Sequence, residues 1–248
     1  MPLVNPQEPV VLPEALEVWQ RTLNWQPTSE QQSKFQNLYT EILKGNQRLN
    51  LTRITDPAEF WEKHLWDSLC GIQPWLNQSE RSLQVIDVGT GAGFPGVPVA
   101  IVCPQWRITL LDSTQKKIAF LADLIATLQL KAESITDRAE RLGHLVQHRE
   151  KYDLALIRAV ATASVCAEYT LPLLKVGGSA VLYRGQWSEA ETQGLQLAAK
   201  QLGGCITQIE RFETPLSQSV RHCIYLKKVE LTRAIFPRAI GVPTQKPL

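Results

Sequence analysis

Chemistry in this sequence gathers at one glycine-rich run, Asp87-Val88-Gly89-Thr90-Gly91-Ala92-Gly93-Phe94-Pro95-Gly96, at the end of an apolar stretch over 83–88. Glycines there admit positive φ and let the backbone approach a bound molecule with no Cβ in the way. A strand-to-helix turn at the carboxyl end of a parallel sheet is where such folds hold ligands. Two ligand chemistries fit. Gly91-x-Gly93-x-x-Gly96, with Asp112 about twenty residues later, has the spacing of a dinucleotide fingerprint. Asp87-x-Gly89-x-Gly91-x-Gly93 instead places an acid inside the strand, which suits a ligand carrying a sulfonium and an α-ammonium and repels a pyrophosphate.

Three features favour the sulfonium compound S-adenosylmethionine. The acid opens the run; Pro95 and Pro98 remove amide donors from the helix start that a pyrophosphate would use; and nothing after the last strand is long enough for a nicotinamide enzyme's substrate domain. Asp112 ends the second strand, in Leu110-Leu111-Asp112-Ser113-Thr114, where a carboxylate accepts both ribose hydroxyls of an adenosine. Its other reading is a cap for the helix starting near Gln115. Thr136-Asp137-Arg138-Ala139-Glu140 ends the third strand at the same edge and can border an adenine ring; taken alone, Arg138 and Glu140 read as a surface ion pair. Arg158 interrupts the apolar run Leu156-Ile157-Arg158-Ala159-Val160 at the same mouth, and a ligand carboxylate or an RNA phosphate would serve as its partner.

Several chemistries are disfavoured. The five cysteines include no Cys-x-x-Cys pair and the four histidines no ligand spacing, so neither a metal site nor a nucleophile triad is expected. There is no Asn/Asp-Pro-Pro-aromatic motif for methylating an exocyclic amine and no Pro-Cys motif for attack on a pyrimidine.

The positioning elements follow from periodicity. Strands are predicted over 83–88, 107–111, 133–136, 153–157, 179–183, 205–212 and 222–228. Helices are predicted over 97–102, 115–128, 139–146, 163–174 and 189–202. This alternation predicts an α/β fold with a doubly wound, mostly parallel seven-stranded sheet, its last two strands an antiparallel edge pair. That is the class I S-adenosylmethionine-dependent methyltransferase arrangement. An N-terminal helical extension over 1–80 precedes the methyltransferase domain, 81–230, and a basic Pro-containing tail, 231–248, follows it. In the extension, Ser29 and Gln32 form a capping box for a helix ending at Gly45, and Asp56-Pro57 opens a helix bearing Phe60, Trp61, His64, Leu65, Ser68 and Leu69. Trp61, Trp66 and Trp75 read as core. The first thirteen residues, with four prolines, are expected to be irregular, and the tail to form no regular element and to order on an RNA substrate.

The chain has 248 residues, 44% apolar and 20% charged, with a net charge of +2, which excludes wholesale disorder. No apolar run approaches the ~20 residues of a membrane span, and no signal segment is readable, so a cytoplasmic protein with no membrane partner is expected. Residues 1–30 carry a net −3 and residues 227–248 a net +4, making the C-terminal end the candidate phosphate-facing surface.

Together these segments resemble the bacterial 16S ribosomal RNA (guanine-N7) methyltransferase G family, also called glucose-inhibited division protein B. The resemblance runs from about Gln47 to the end. It rests on Leu49-Asn50-Leu51-Thr52-Arg53-Ile54, His64-Leu65-Trp66-Asp67-Ser68, Asp87 to Gly96, Leu111-Asp112-Ser113 with Lys117 and Phe120-Leu121, Arg138-Ala139-Glu140, Arg158-Ala159-Val160, and Phe236-Pro237-Arg238 with Gly241 and Pro243. Tyr183-Arg184-Gly185 departs from it, since many relatives carry lysine before the glycine. The resemblance implies methyl transfer from S-adenosylmethionine to N7 of a guanine near the decoding centre, on 16S RNA or the 30S subunit; a monomer with no metal is expected. It implies cofactor residues Gly89, Phe94, Asp112, Ser113, Thr114, Ala139, Glu140 and Arg158, to which the glycine turn itself adds Gly91 and Gly93. RNA contacts are expected at Arg53, His64, Arg184, Arg233 and Arg238, with Arg158 between the two ligands. No catalytic residue is expected, because N7 has a lone pair and no proton to lose. A small-molecule methyltransferase, a nicotinamide oxidoreductase and a non-catalytic RNA-binding protein are the alternatives.

Overall fold

Seven strands form one sheet in the computed structural model, which describes residues 10–77 and 81–248: β1 (Gln84–Val88), β2 (Arg107–Asp112), β3 (Ala132–Thr136), β4 (Tyr152–Arg158), β5 (Leu174–Arg184), β6 (Gly204–Glu213) and β7 (Val220–Lys228). Their order is β3-β2-β1-β4-β5-β7-β6. The first five are parallel, and β7 runs antiparallel between β5 and β6. Strands β1, β2 and β4 are buried over almost their whole length, as apolar strands covered on both faces must be. Strand order reverses between β1 and β4, and that switch point opens a crevice at their carboxyl ends.

The helices are α1 (Leu16–Leu23), α2 (Ser29–Asn46), α3 (Pro57–Phe60), α4 (Asp67–Cys70), α5 (Gln73–Leu76), α6 (Gly96–Val102), α7 (Gln115–Leu128), α8 (Ala139–Leu142), α9 (Ala163–Thr170), α10 (Glu189–Gln201) and α11 (Val242–Gln245). A π-helical turn, Trp61–Trp66, joins α3 to α4, so that 57–70 is one continuous helical segment. Two apolar cores flank the sheet. On one side Trp19, Trp61 and Trp66 from the N-terminal helices pack with Val97 and Leu121 of α6 and α7; on the other, Leu195 of α10 and Phe236 of the C-terminal segment share a core with α9.

Several elements differ from the sequence reading for identifiable reasons. The capping box is formed by Thr28 and Gln31, one residue before the expected Ser29 and Gln32, because Thr-Ser-Glu-Gln-Gln carries the spacing twice. Helix α8 stops at Leu142, where Gly143 abuts Pro237: a Cβ there would lie 2.6 Å from the proline Cγ. Pro172 tightens the end of α9 into a 3₁₀ turn, Leu171–Leu173, and β5 begins at once, five residues earlier than expected. Helix α1, amphipathic with Trp19 and Leu23 buried, is not singled out within the expected helical extension. Of the irregular N-terminal stretch, residues 1–9 lie outside the described residues, and 10–14 carry neither helix nor strand.

The tail is a correction. It includes α11 and buries Phe236 and Pro237 against the protein. Proline content argued against a regular element, but Pro243 falls in the first turn of α11, where a missing amide costs nothing.

Candidate active site

The crevice at the switch point is a cavity of about 510 Å³. Val88, Gly89, Thr90, Gly91, Ala92 and Phe94 form its floor; Asp112, Ser113 and Lys117 one wall; Asp137, Arg138, Ala139, Glu140 and Tyr169 the far end; His64 and Arg158 the near side. Leu51 and Thr244 complete it from the N-terminal and C-terminal segments.

The glycine turn is held by its own carboxylate. Asp87 is fully buried and does not reach the cavity: its Oδ2 accepts from Thr90 Oγ1 at 2.6 Å and from the Gly96 amide at 2.8 Å, while Oδ1 has no partner. Burial pushes its carboxyl up to about 6, against those two hydrogen bonds. The expectation that this acid meets a ligand cation is therefore corrected; Asp87 organises the turn. Gly93 and Thr114 also lie off the cavity. A Cβ on Gly93 would fall 2.7 Å from Val97 Cγ2, so that glycine serves helix packing.

Asp112 takes the capping role, one of the two that the sequence left open, and keeps capacity for the other. Its Oδ1 accepts from the Thr114 amide at 2.8 Å at the start of α7, and its Oδ2 accepts from the Gly91 amide at 3.0 Å. Each carboxylate oxygen keeps a free lone pair, so two adjacent hydroxyls can still be accepted at the cavity wall. Glu140 is 2% exposed, and its Oε1 accepts from Arg138 at 3.2 Å, Tyr169 at 3.1 Å and the Gly241 amide at 3.1 Å. Burial would raise this carboxyl, but the backbone amides of Gly241 and of Glu140 itself and the Arg138 guanidinium hold it below the ordinary carboxylate range. The Arg138–Glu140 pair thus belongs to the cavity wall, not to an open surface.

Arg158 finds its partner inside the protein. Its Nη1 donates to Asp67 Oδ2 at 2.6 Å and to the Lys63 carbonyl at 2.9 Å, and its guanidinium lies 5.8 Å from the Phe94 ring centroid. Neither a ligand carboxylate nor a phosphate is needed to balance it. The signal for Asp67 was present, since a carboxylate three residues from His64 on an apolar helical face requires a cation. Tyr169 and Thr244 were missed because no local spacing marks them.

His64 is 8% exposed and stacks on Phe94, with ring centroids 4.2 Å apart and planes at 7°. Burial, reinforced by the Arg158 guanidinium, lowers its pKa to about 3. The guanidinium faces Nδ1 at 3.5 Å, which assigns the ring proton to Nε2, 2.8 Å from Thr52 Oγ1. Asn46 in turn fixes Thr52 by accepting from the Leu51 and Thr52 amides, each at 3.0 Å. His64 is therefore a neutral wall residue and not a phosphate-binding cation. A group kept neutral in the fold but titrating near its ordinary 6.5 when unfolded stabilises fully above 6.5, and that stability is lost as pH falls toward 3. In urea titrations, His64→Gln should lose roughly 2 kcal/mol less than the parent chain between pH 6.5 and 5.

The remaining basic candidates are not brought together. Arg53 is exposed at a shallow cavity that shares Leu51 with the main one. Arg184 donates to the Ala161 carbonyl at 2.7 Å and pairs with Glu191 at 3.4 Å. Arg233 is exposed and does not line the main cavity. Arg238 is committed to the buried Glu168 at 2.6 Å, which corrects its reading as a free RNA contact.

A family model, GidB: rRNA small subunit methyltransferase G, matches residues 31–223. The chain belongs to that family. A ribosomal RNA small subunit methyltransferase G from Nostoc punctiforme is 63% identical over 241 residues, covering 96% of this chain and 99% of that protein. The protein of the same name from Trichormus variabilis is 61% identical over 242 residues, again covering 96% and 99%. Among solved structures, the 1,6-didemethyltoxoflavin-N1-methyltransferase of Burkholderia thailandensis, with 1,6-didemethyltoxoflavin and S-adenosylhomocysteine bound, aligns with a TM-score of 0.52 at 11% identity. It covers 82% of this chain and 92% of its own. The branched-chain polyamine synthase of Thermus thermophilus aligns with a TM-score of 0.56 at 12% identity, covering 79% and 64%. These two share the fold. By family and by fold, this member of the GidB family is an S-adenosylmethionine-dependent methyltransferase. The cavity fits that compound: a Cβ on Gly89 would fall 2.5 Å from Val160 Cγ2, so the floor is open only with glycine there, and Asp112 keeps free lone pairs above it.

Proposed function

We propose that this protein transfers a methyl group from S-adenosylmethionine to N7 of one guanine in 16S ribosomal RNA near the decoding centre, acting in the cytoplasm as a monomer. The observation that carries this is a cavity in which Asp112 keeps free acceptor capacity while His64, Glu140, Arg158 and Tyr169 are held by partners within the protein, in a chain of the small-subunit rRNA methyltransferase family. S-adenosylmethionine supplies an electrophilic methyl group when bound. Asp112 accepts its ribose hydroxyls beside Ser113, with Thr114 fixing the carboxylate from behind, while Gly89 and Gly91 keep the turn open, Gly93 lets the following helix pack and Phe94 packs beside it. Ala139 and Glu140 border the adenine end and Arg158 the near side; exposed Arg53, outside the cavity, meets RNA phosphates.

Methylation of N7 requires no base, and His64 and Tyr169 at the cavity are both engaged within the protein. Arg158 faces one nitrogen of neutral His64, and Thr52 takes the other. Tyr169, pushed up to about 12 mainly by burial, donates to Glu140. What the chain contributes is alignment of methyl and acceptor, worth several kcal/mol through proximity and orientation. Accordingly, no single alanine substitution in the cavity should abolish turnover while leaving both cofactor and RNA affinity intact; titrations beside single-turnover rates check this.

The direct test offers labelled methyl to 30S subunits and protein-free 16S RNA from a strain lacking the enzyme, with 50S subunits as control. Borohydride and aniline, which cleave at 7-methylguanine, then follow. Scission at one 16S guanine is expected. No transfer by a protein that binds S-adenosylhomocysteine would overturn the RNA reading in favour of a small-molecule methyltransferase.

A further inference from the structure

Four polar side chains, one of them the cavity-lining Glu140, direct hydrogen bonds to the C-terminal segment. Arg149 donates to the carbonyls of Thr232 at 2.6 Å and Phe236 at 2.8 Å, and His144 Nε2 donates to the Pro237 carbonyl at 2.6 Å. Glu168, buried in α9, accepts from both the backbone amide and the guanidinium of Arg238, at 2.8 and 2.6 Å. Glu140 of α8 accepts from the Gly241 amide at 3.1 Å. A solvated basic tail would leave these groups to water. Here they lead the chain, carbonyl by carbonyl, to α11, and α11 places Thr244 in the cavity wall that Ala139, Glu140 and Tyr169 also form.

One atom links the two. Glu140 Oε1 accepts from Arg138, from Tyr169 and from Gly241, so the position of a cavity-wall carboxylate depends on whether the segment is seated. Thr244 Oγ1 donates to the Gly241 carbonyl at 2.9 Å, which uses its proton and leaves its oxygen as an acceptor at the wall. Gly241 takes φ +83, a left-handed backbone that glycine adopts without strain and that turns its amide toward Glu140 while starting α11.

We propose that the C-terminal segment is a built part of the methyl-donor site: Gly241 positions Glu140, Thr244 closes the Ala139–Glu140 end, and seating of the segment and donor affinity are coupled. The proposal rests on the S-adenosylmethionine reading of the cavity. Coupling of this kind is reciprocal, so a donor that binds only the seated form must also hold the segment down.

The test compares the full chain with a chain ending at Ala239, using S-adenosylhomocysteine as the probe. That truncation keeps the Arg238–Glu168 pair, Phe236 and every Arg149 bond, so it should retain the fold by circular dichroism. It should bind the probe about tenfold more weakly, the loss expected for one hydrogen bond. Thr244→Val should weaken binding in the same direction, while Thr244→Ser, which keeps the hydroxyl, should restore it. In the full chain, saturating probe should slow hydrogen exchange of the Gly241 amide. Equal affinity of the folded truncated chain, or exchange at Gly241 that ignores the probe, would overturn the proposal while leaving the cofactor reading standing. Should the truncation unfold, unchanged affinity in Thr244→Val would overturn it equally. Failure of the full chain to bind the probe at all would overturn both.

Discussion

Arg238→Met should lower unfolding free energy by about 3 kcal/mol or more in the absence of any RNA. Glu168 is fully buried, and the Arg238 guanidinium neutralises it with bonds from Nε at 2.9 Å and from Nη2 at 2.6 Å. Removing the arginine leaves a carboxylate in the core with only a backbone amide for company, and the cost is that of an unpaired buried charge rather than of one lost contact. A double change, Arg238→Met with Glu168→Gln, should recover most of the loss, because a neutral amide no longer demands a cation. Urea unfolding of the three chains at neutral pH checks both statements. An arginine acting only on RNA phosphates would give an unchanged midpoint and a salt-dependent defect in RNA affinity instead.

The second large effect is expected at the cavity floor. Gly89→Ala should weaken S-adenosylhomocysteine binding by roughly one to two orders of magnitude. The residue sits at φ +73, a region costing a non-glycine residue about 1–2 kcal/mol, and its new Cβ would lie 2.5 Å from Val160 Cγ2. Val160 lines the cavity, so relief of the clash is taken from the space the cofactor needs. Gly177→Ala is the internal control: its φ is +87, yet nothing lies within 4 Å of the added Cβ. That variant should lose a comparable amount of stability and no affinity. Calorimetric titration of the two chains separates backbone strain from lost cavity space.

Both predictions bear on how basic residues should be assigned here. Arg158, Arg184 and Arg238 each have a carboxylate within the protein, at 2.6, 3.4 and 2.6 Å. Pairing does not remove Arg158 from the site, because it still lines the cavity with Phe94 and His64 beside it. It does mean that the fold itself holds the guanidinium in place before any ligand arrives, which is the preorganisation that alignment requires.

The strand and helix alternation, the glycine turn at the end of β1 and the acid ending β2 were all legible in the sequence, because each depends on spacing within a few residues. Apolar runs bounded by turns place the strands, and Asp112 follows β2 whatever packs around it. The antiparallel entry of β7 was legible for the same reason, since no helix separates it from β6. Burial and pairing were not legible, because they join residues far apart in the chain. Asp67 lies 91 positions from the Arg158 it neutralises, and Glu168 lies 70 from Arg238. Whether a charge faces solvent, a ligand or a buried partner depends on which segments the sheet brings together. Hence the amino-acid sequence alone specified a methyltransferase sheet with a ligand crevice at the glycine turn ending β1. Only the tertiary structure decided that His64 is neutral, that Arg158 and Arg238 are held from within, and that the C-terminal segment is part of the cavity wall, because a side chain's charge and availability are set by its surroundings in space.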